Sequence, residues 1–256
     1  MLCSYAFPQV KTGTVIVVSY TKNKIIIAAD SLVTIQKPDG RIEKNRHACK
    51  ISALDKKVVF ASAGGLGEID KWSASEEARL AYKRALLKHN PDFSAQITYE
   101  WATAVAPLIT TTYLNHKAAM DSMIPTGILG TGIFAGVDDK GELWLTRVEF
   151  YVKRSMGDTV EYRPFKINLG ECAPVCAVGR TDILREFSGL TSNRAKIEAA
   201  KWKPPRGVPA DVARVIHFVD LTVTYDPTGD VGGPVDAAVI KRNGSVQWFR
   251  KKRDCE

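Results

Sequence analysis

The sequence predicts an α+β fold in which two stacked antiparallel sheets carry helices on their outer faces. Short segments rich in Val and Ile, separated by polar turns, open and close the chain and are typical of buried strands. Between them, longer segments place apolar residues at helical spacing. The resulting order is strands, two helices, strands, helices, strands, with no domain-scale linker. One domain over residues 1–256 is the simplest account of this order.

The composition is ordinary for a soluble globular protein. Of the 256 residues, 45% are hydrophobic and 25% are charged, so the chain can bury a large core. No apolar run approaches the roughly 20 residues that span a bilayer, and the first residues lack the pattern of a secretory signal. The net charge of +8 comes from Lys and Arg spread along the chain, and the one dense run, residues 250–253, is interpreted as a solvated tail. We therefore expect a cytoplasmic protein that binds neither nucleic acid nor a membrane.

The cysteines and histidines predict free thiols and no metal site. The five cysteines are an odd number in a chain long enough to fold without cross-links, so we expect them to be reduced in the cytoplasm. Cys172 and Cys176 lack a second Cys or His pair at zinc spacing, and the four histidines are scattered. The chain is expected to work without a cofactor.

The N-terminal hairpin sets the geometry of a candidate site. Residues 14–31 are predicted to form two strands joined by a polar turn with residues 22–23 at its tip. With this tip, the numbers of paired residues sum to about 45. Asp30 is therefore predicted to lie across from Thr14 or Val15.

A third strand is predicted to bring a lysine to the same place. The chain turns again around residues 38–40, which read Pro-Asp-Gly. A strand folded back about this turn brings a position near 48, within about two residues, beside Asp30. Lys50 falls there. The Thr14 hydroxyl, the Asp30 carboxylate and the Lys50 amine are thus expected to converge.

A glycine-rich corner and two helices follow. Residues 50–68 are predicted to form two short strands that end at Gly64, where glycines permit positive φ and close backbone approach. The first helix, predicted over Trp72–His89, opens with a capping-box pattern. The second, predicted over Ser94–Met120, contains Pro107, which is expected to kink or divide it.

The second half of the chain returns to strands and then to helices. Strands or hairpins are predicted over residues 127–137, 142–152, 153–171 and 173–179, and helices over residues 181–187 and 210–225. Residues 201–207 contain two prolines and exclude regular helix. The last two strands flank Asn243-Gly244, a pair typical of a two-residue type I′ hairpin.

Thr14 can act as a nucleophile only if a base removes its hydroxyl proton. A free α-amino group on the same residue ordinarily has a pKa of about 7.7–8 and can serve as that base, directly or through water. This requires cleavage of the Gly13–Thr14 bond, so residues 1–13 are expected to be a leader, and Gly13 leaves room for the hydroxyl to attack its carbonyl. Lys50 would supply positive charge that favours the neutral amine and the alkoxide, and Asp30 would hold the ammonium group in place.

Backbone N–H groups at the glycine-rich corner, Gly64 above all, are expected to stabilise the oxyanion of an acyl-transfer intermediate. The same residues also have a purely structural interpretation. Thr14 can be an ordinary strand threonine, Asp30 a turn residue paired with Lys50, and Gly64 a requirement of the turn. The two interpretations differ in whether the leader is removed, because a blocked amine cannot be the base.

An ordered set of motifs resembles proteasome β-type subunits and their bacterial relatives. The set consists of Gly-Thr before a strand, AAD-S-x-x-T at residues 28–34, Lys-Ile at 50–51, A-G-x-x-G at 63–67, the segments GIFAGVDDKGELW and AVGRTDI, and GGPVDAAVIKRNGSV at 232–246. Each motif alone is weak, and their common order from about residue 12 to about residue 249 carries the resemblance.

The resemblance implies a four-layer αββα sandwich of the N-terminal-nucleophile (Ntn) hydrolase kind. It also implies hydrolysis of peptide amide bonds in a peptide or protein substrate, and assembly into a homo-oligomeric ring. An unfolding ATPase would have to deliver folded substrates to such a ring. Carried over by position, Thr14 is the nucleophile, Asp30 and Lys50 are its charge partners, and Gly64 is the oxyanion donor.

Two departures from the family pattern predict less efficient catalysis. Arg180, followed by Thr181, stands where the family usually has Ser between two glycines. Thr228 stands where an Asp is expected, with Asp226 and Asp230 nearby. Both changes touch the surroundings that tune the amine.

Three alternatives stay open at this point. In TGTV, Thr12 is a rival first residue, but it requires a hairpin turn two residues longer than the Thr14–Asp30 register. The chain can also be a non-catalytic ring or scaffold subunit that keeps its leader, which N-terminal processing distinguishes. A third possibility is an Ntn amidase on a small molecule, which activity on small amides but not on peptides distinguishes.

Overall fold

The structure, a computed structural model, describes residues 9–11, 13–36, 42–68, 71–117, 120–121, 127–153, 159–172, 175–179, 181–252 and 255. Within these residues the fold is mixed α+β, with two five-stranded antiparallel sheets and five α-helices. The α+β class predicted from the sequence is confirmed.

The strands are β1 Gln9–Lys11, β2 Val15–Thr21, β3 Lys24–Ala29, β4 Val33–Gln36, β5 Ile42–Asn45, β6 Ile51–Ala53, β7 Val58–Gly64, β8 Gly67–Glu68, β9 Trp72–Ser73, β10 Ile128–Val137, β11 Leu143–Lys153, β12 Thr159–Lys166, β13 Cys176–Gly179, β14 Asp236–Lys241 and β15 Ser245–Arg250. The helices are α1 Ala74–Lys88, α2 Phe93–Asn115, α3 Asp182–Ser188, α4 Asn193–Lys201 and α5 Ala210–Tyr225, and a 3₁₀ turn covers Leu169–Cys172.

The first sheet has the strand order β13-β2-β3-β14-β15 and contains the N-terminal hairpin. Ile16 pairs with Ala29 and Thr21 pairs with Lys24, so the paired numbers sum to 45 as predicted. The predicted third strand is also present, because β5 folds back on β4 with Val33 opposite Asn45. The turn predicted at residues 38–40 lies outside the described residues. These two registers place the start of β2, the end of β3 and the start of β6 beside one another.

The second sheet has the strand order β12-β11-β10-β7-β6, and one of its faces packs against α1 and α2. Trp101 of α2 lies at the centre of this packing, with ring centroids 5.1 Å from Phe60, 5.6 Å from Phe134 and 5.4 Å from Phe150. Such tilted and edge-to-face pairs suit the charge distribution of aromatic rings. The helices α1 and α2 and the second sheet therefore share one apolar core.

The two sheets face each other across a second core. Ile16 and Ile27 of the first sheet lie in one buried cluster with Ala61, Ile133 and Leu145 of the second. The opposite face of the first sheet packs against α3 and α5. Each sheet is thus covered by a sheet on one side and by helices on the other.

The first helix begins as its capping pattern predicts. Ser73 has extended backbone and its hydroxyl accepts a hydrogen bond from the Glu76 N–H at 3.2 Å. The second helix differs from the prediction, because it runs without a break through Pro107 and ends at Asn115. Burial of Trp101 and Tyr113, on either side of the proline, holds both halves of the helix against the sheet.

Two local predictions about the second half were incomplete or wrong. Helix α4 was not predicted, although Ser192 caps it by accepting a hydrogen bond from the Ala195 N–H at 3.1 Å. The closing hairpin has a three-residue loop, since Lys241 pairs with Ser245. Of the three loop residues only Gly244 has positive φ, +78°, so the loop is not the two-residue type I′ turn that Asn-Gly indicated.

The expectation of free thiols is wrong for four of the five cysteines. Cys49 is bonded to Cys255 and Cys172 to Cys176, with Cα–Cα distances of 5.4 and 4.6 Å. Cys3 lies outside the described residues. Disulfides persist mainly in oxidising compartments, so this finding argues somewhat against the reducing cytoplasm that the sequence predicts. No helix in the described part of the chain is long and apolar enough to cross a membrane.

Candidate active site

The three predicted polar residues meet where three strands begin or end. Thr14 directly precedes β2, Asp30 directly follows β3, and Lys50 directly precedes β6. All three are buried, with exposed fractions of 4%, 0% and 6% respectively. The convergence predicted from the hairpin arithmetic is confirmed as geometry.

The Lys50 ammonium group links the other two side chains. Its Nζ donates to Thr14 Oγ1 at 2.8 Å and to Asp30 Oδ1 at 2.9 Å. The same Nζ lies 3.4 Å from the carbonyl oxygen of Gly13, which belongs to the bond that self-cleavage would break. Burial lowers the pKa of Lys50 below its usual value, because the cost of desolvating the ammonium exceeds the opposing effect of Asp30.

The Asp30 carboxylate is held by backbone donors as well as by Lys50. Oδ1 accepts from the Val15 N–H at 3.0 Å, and Oδ2 accepts from the N–H groups of Leu32 at 3.2 Å and Gly232 at 3.1 Å. Buried charges are tolerated when they are paired and hydrogen-bonded in this way. Asp30 is consequently fixed in position, and it fixes Lys50 in turn.

A loop after α5 packs against the bond that precedes Thr14. A Cβ atom at Gly13 would lie 2.2 Å from the Cβ of Asp230, so only glycine fits there. The Asp226 carboxylate organises this loop by accepting from the N–H groups of Asp230 at 2.7 Å and Val231 at 2.9 Å. Burial raises the pKa of Asp226, but the hydrogen bonds that the carboxylate accepts outweigh burial and leave the pKa below its usual value.

A cavity of about 560 Å³ opens beside Thr14 and Lys50. Gly64 lines the same cavity and has φ +94°, and a Cβ there would lie 2.5 Å from the Cα of Gly130. The prediction that this corner requires glycine is therefore confirmed. The role of Gly64 as an oxyanion donor stays a prediction.

The cavity has polar and apolar walls. Leu32, Val33, Leu66 and Trp72 provide apolar surface, and the polar lining residues are Ser62, Glu68, Lys71, Ser73, Ser75 and Glu76. The Lys71 amine contacts the Glu68 carboxylate at 2.5 Å. A cavity of this size beside a hydroxyl and an amine can hold a side chain of a peptide or a small amide.

Not every residue singled out from the sequence can be placed. Thr12 and Arg180 lie outside the described residues. Thr228 is exposed, and its hydroxyl donates to Asp226 Oδ1 at 2.9 Å, so it helps to shape the loop that Asp226 organises. Gly179 lies against Thr14, since a Cβ on it would be 1.9 Å from the Thr14 carbonyl oxygen.

Sequence reasoning missed a second buried charge pair close to this site. Lys252 contacts Asp236 at 2.7 Å, and the two side chains are 7% and 1% exposed. Lys252 belongs to the basic run at residues 250–253 that was interpreted as a solvated tail, and for Lys252 this interpretation is wrong. No local signal distinguishes Lys252 from its exposed neighbour Lys251, because its partners lie far away in the sequence.

Among the described residues, no group of three or more His, Cys, Asp and Glu side chains is arranged to hold a metal ion. The chain matches no protein-family model and no curated protein.

Proposed function

We propose that this protein is a threonine-type Ntn hydrolase that frees Thr14 by self-cleavage and then hydrolyses peptide amide bonds. The observation that carries the proposal is the position of Lys50 Nζ, within 2.8 Å of Thr14 Oγ1, 2.9 Å of Asp30 Oδ1 and 3.4 Å of the Gly13 carbonyl oxygen. The packing of two sheets between helices supports an αββα sandwich of this hydrolase kind, as does the motif resemblance to proteasome β-type subunits.

Self-cleavage begins with the Thr14 hydroxyl. Its oxygen attacks the carbonyl carbon of Gly13, and the proton passes to the Lys50 amine in the fraction of molecules in which that amine is neutral, a fraction that the lowered pKa of Lys50 increases. The bond from Gly13 to the Thr14 nitrogen then breaks, the nitrogen takes up a proton, and an ester remains on Oγ1. Water hydrolyses the ester, which releases Gly13 as a carboxylate and leaves Thr14 with a free amine.

Hydrolysis of a substrate repeats the attack with the new amine as base. The amine accepts the hydroxyl proton, and Thr14 Oγ1 attacks the substrate carbonyl. Charge on Lys50, oriented by Asp30, stabilises the developing alkoxide, and the Gly64 N–H stabilises the oxyanion. The first product leaves with its amine protonated, and water hydrolyses the remaining ester.

Assembly into a homo-oligomeric ring belongs to the same proposal. The helix pair α1 and α2 exposes large apolar side chains that a protein partner could cover, namely Leu80, Leu86, Leu87, Tyr99 and Leu114. An unfolding ATPase is the partner that such a ring would need for folded substrates. A small-molecule amidase is the second candidate, which the modest cavity beside Thr14 favours.

The test is hydrolysis of fluorogenic peptide amides and of small acylated amides by the wild type and two variants. Thr14→Ala removes the nucleophile and should abolish hydrolysis of every substrate. Thr21→Ala, a change at the far end of the strand that Thr14 precedes, is the matched control and should keep wild-type activity. Full activity of Thr14→Ala would refute the assignment, and activity on small amides alone would favour the amidase.

A further inference from the structure

The C-terminal segment contributes a buried lysine to the candidate site. Lys252 Nζ lies 2.6 Å from the Ala48 carbonyl oxygen and 2.7 Å from Asp236 Oδ2, and it also donates to the Ser31 hydroxyl. Ala48 and Ser31 accept two of the three ammonium protons, and Asp236 supplies the opposite charge. The Asp236 contact is an ion pair without hydrogen-bond alignment on Oδ2, while Oδ1 accepts from the Lys252 N–H at 3.1 Å.

These contacts tie together the two segments that carry the charge partners of Thr14. Ser31 directly follows Asp30, and Ala48 lies two residues before Lys50. The Ala48 N–H also donates to the Ser31 carbonyl at 3.1 Å, so the segments already touch through the backbone. The Lys252 ammonium bridges them a second time through their acceptors.

A disulfide fastens the same segment to the site. Cys255 is bonded to Cys49, which directly precedes Lys50 and lines the cavity beside Thr14. The bonded residues are 206 apart in the sequence, so nothing local holds them together. We call Lys252 and Cys255, with the Cys49–Cys255 bond, the C-terminal clasp.

We propose that Lys252 is a positioning residue of the candidate site and that the Cys49–Cys255 bond makes the site sensitive to thiol reductants. The clasp holds the Asp30 and Lys50 segments at the spacing that Thr14 requires. The effect of the clasp on catalysis rests on the proposed hydrolase function, whereas its effect on the protonation of Lys50 does not.

The charges around Lys50 set the direction of that effect. Within the described residues, its ammonium group faces the Asp30 carboxylate, the Thr14 hydroxyl and the Gly13 carbonyl, and the nearby Lys252 adds a second positive charge. Burial lowers the pKa of Lys50 most, and the charge of Lys252 lowers it further. We expect release of the clasp to remove this charge or move it away from Lys50 and to admit water, and both changes raise the pKa of Lys50.

Reduction by a dithiol such as dithiothreitol opens the clasp in two exchange steps. A reagent thiolate attacks one sulfur of the Cys49–Cys255 bond and forms a mixed disulfide, and the departing thiolate takes up a proton. The second reagent thiol then closes the oxidised ring of the reagent and releases the other cysteine as a thiol. Two electrons and two protons pass from the reagent to the protein.

The first experiment titrates Lys50 without using activity. Chains with Thr14→Ala, which all keep the same N-terminus, are acetylated with acetic anhydride across a pH series, and peptide mass spectrometry follows Lys50. The pH at which Lys50 acetylation reaches half of its high-pH plateau, called the midpoint, should be higher in Lys252→Met. Lys251→Met, a change at the exposed neighbour, should leave it in place.

Lys252→Met leaves the Asp236 carboxylate buried without its cation, which can prevent folding. The double variant Lys252→Met/Asp236→Asn removes both charges, and it should show the same shift. Dithiothreitol offers a route without these changes, in a Cys172→Ser/Cys176→Ser background that leaves only the Cys49–Cys255 bond among the described cysteines. Reduction there should also move the midpoint to higher pH. Unchanged midpoints in the folded double variant and after reduction would overturn the proposal.

The second experiment measures self-cleavage with Thr14 restored. Displacement of the charge partners by about 1 Å should slow cleavage on the order of 10²-fold in Lys252→Met/Asp236→Asn. Reduction should slow it in the Cys172→Ser/Cys176→Ser background, and Cys49→Ser/Cys255→Ser should be equally slow with or without reductant. Equal rates in all folded proteins would overturn the positioning role. A wild type that never cleaves overturns the proposed hydrolase instead, and the acetylation midpoints still decide the clasp.

Discussion

If the proposed self-cleavage occurs, the contact between Gly13 and Asp230 should make its rate sensitive to a single added methyl group. In Gly13→Ala the new Cβ would lie 2.2 Å from the Asp230 Cβ and 2.3 Å from its carbonyl oxygen, where ordinary contacts begin at 3.4 Å. The backbone must therefore separate by about 1.2 Å, since the obstacle includes main-chain atoms. This movement displaces the Gly13 carbonyl, which lies 3.4 Å from Lys50 Nζ.

A misplacement of about 1 Å can slow a positioned reaction by about 10²-fold. We expect self-cleavage of Gly13→Ala to be slower by that order, with a stability cost of about 1–3 kcal/mol for the overpacked contact. Cleavage is followed by intact mass over time, and stability by urea denaturation. Gly170→Ala is the matched control, because its new Cβ would meet its nearest neighbour at an ordinary 3.5 Å.

Processing can be separated from hydrolysis with a chain that begins at Thr14. Such a chain is produced by removing a fused tag with a specific protease. Gly13 is absent from that product, so its hydrolytic rate should equal that of any processed Gly13→Ala protein. A folded Gly13→Ala protein that cleaves itself at the wild-type rate would refute the geometric reasoning.

Three further predictions concern the charge pair, the glycine corner and the disulfides. Lys50→Met should abolish self-cleavage and cost about 3–5 kcal/mol in urea denaturation, because it leaves Asp30 buried without its cation. Burial lowers the pKa of Lys50 in the folded state below its usual 10.5, so the folded state binds fewer protons there than the unfolded state. The free energy of unfolding of the wild type, relative to that of Lys50→Met, should therefore rise with pH between the folded and the unfolded pKa of Lys50. A difference that does not change with pH would contradict the lowered pKa. Gly64→Ala should lose more stability and activity than Gly127→Ala, because both have positive φ but only Gly64 would clash, at 2.5 Å against 3.9 Å; equal losses would count against the clash. From the lengths of the closed loops, we expect Cys49→Ser/Cys255→Ser to lower the free energy of unfolding by about 5 kcal/mol and Cys172→Ser/Cys176→Ser to lower it by about 2 kcal/mol. A larger loss for the second variant than for the first, measured by calorimetry or denaturation, would contradict this expectation.

The candidate site could be predicted from the sequence because its geometry follows from tight turns. A short turn at residues 22–23 fixes the register of β2 and β3, and that register alone places Asp30 beside the start of β2. The register of β4 and β5 does the same for Lys50. Backbone arithmetic of this kind needs no knowledge of side-chain packing.

Other features depend on contacts that no local pattern records. Pro107 indicated a kinked or divided helix, and the helix is not divided, because burial on both sides of the proline outweighs the lost hydrogen bond. The loop of the last hairpin contains Asn243 and Gly244, yet the pairing of the strands admits a third residue. Lys252 and Cys255 look like parts of a charged tail until their partners, far away in the sequence, are known.

The most direct test of the central claim is the intact mass of the purified protein beside its Thr14→Ala variant. We predict that the wild type loses every residue before Thr14, whereas the variant keeps them. A product that begins at Thr12 would move the nucleophile by two residues. A full-length mass for both proteins, or the same shortening in both, would contradict self-cleavage by Thr14.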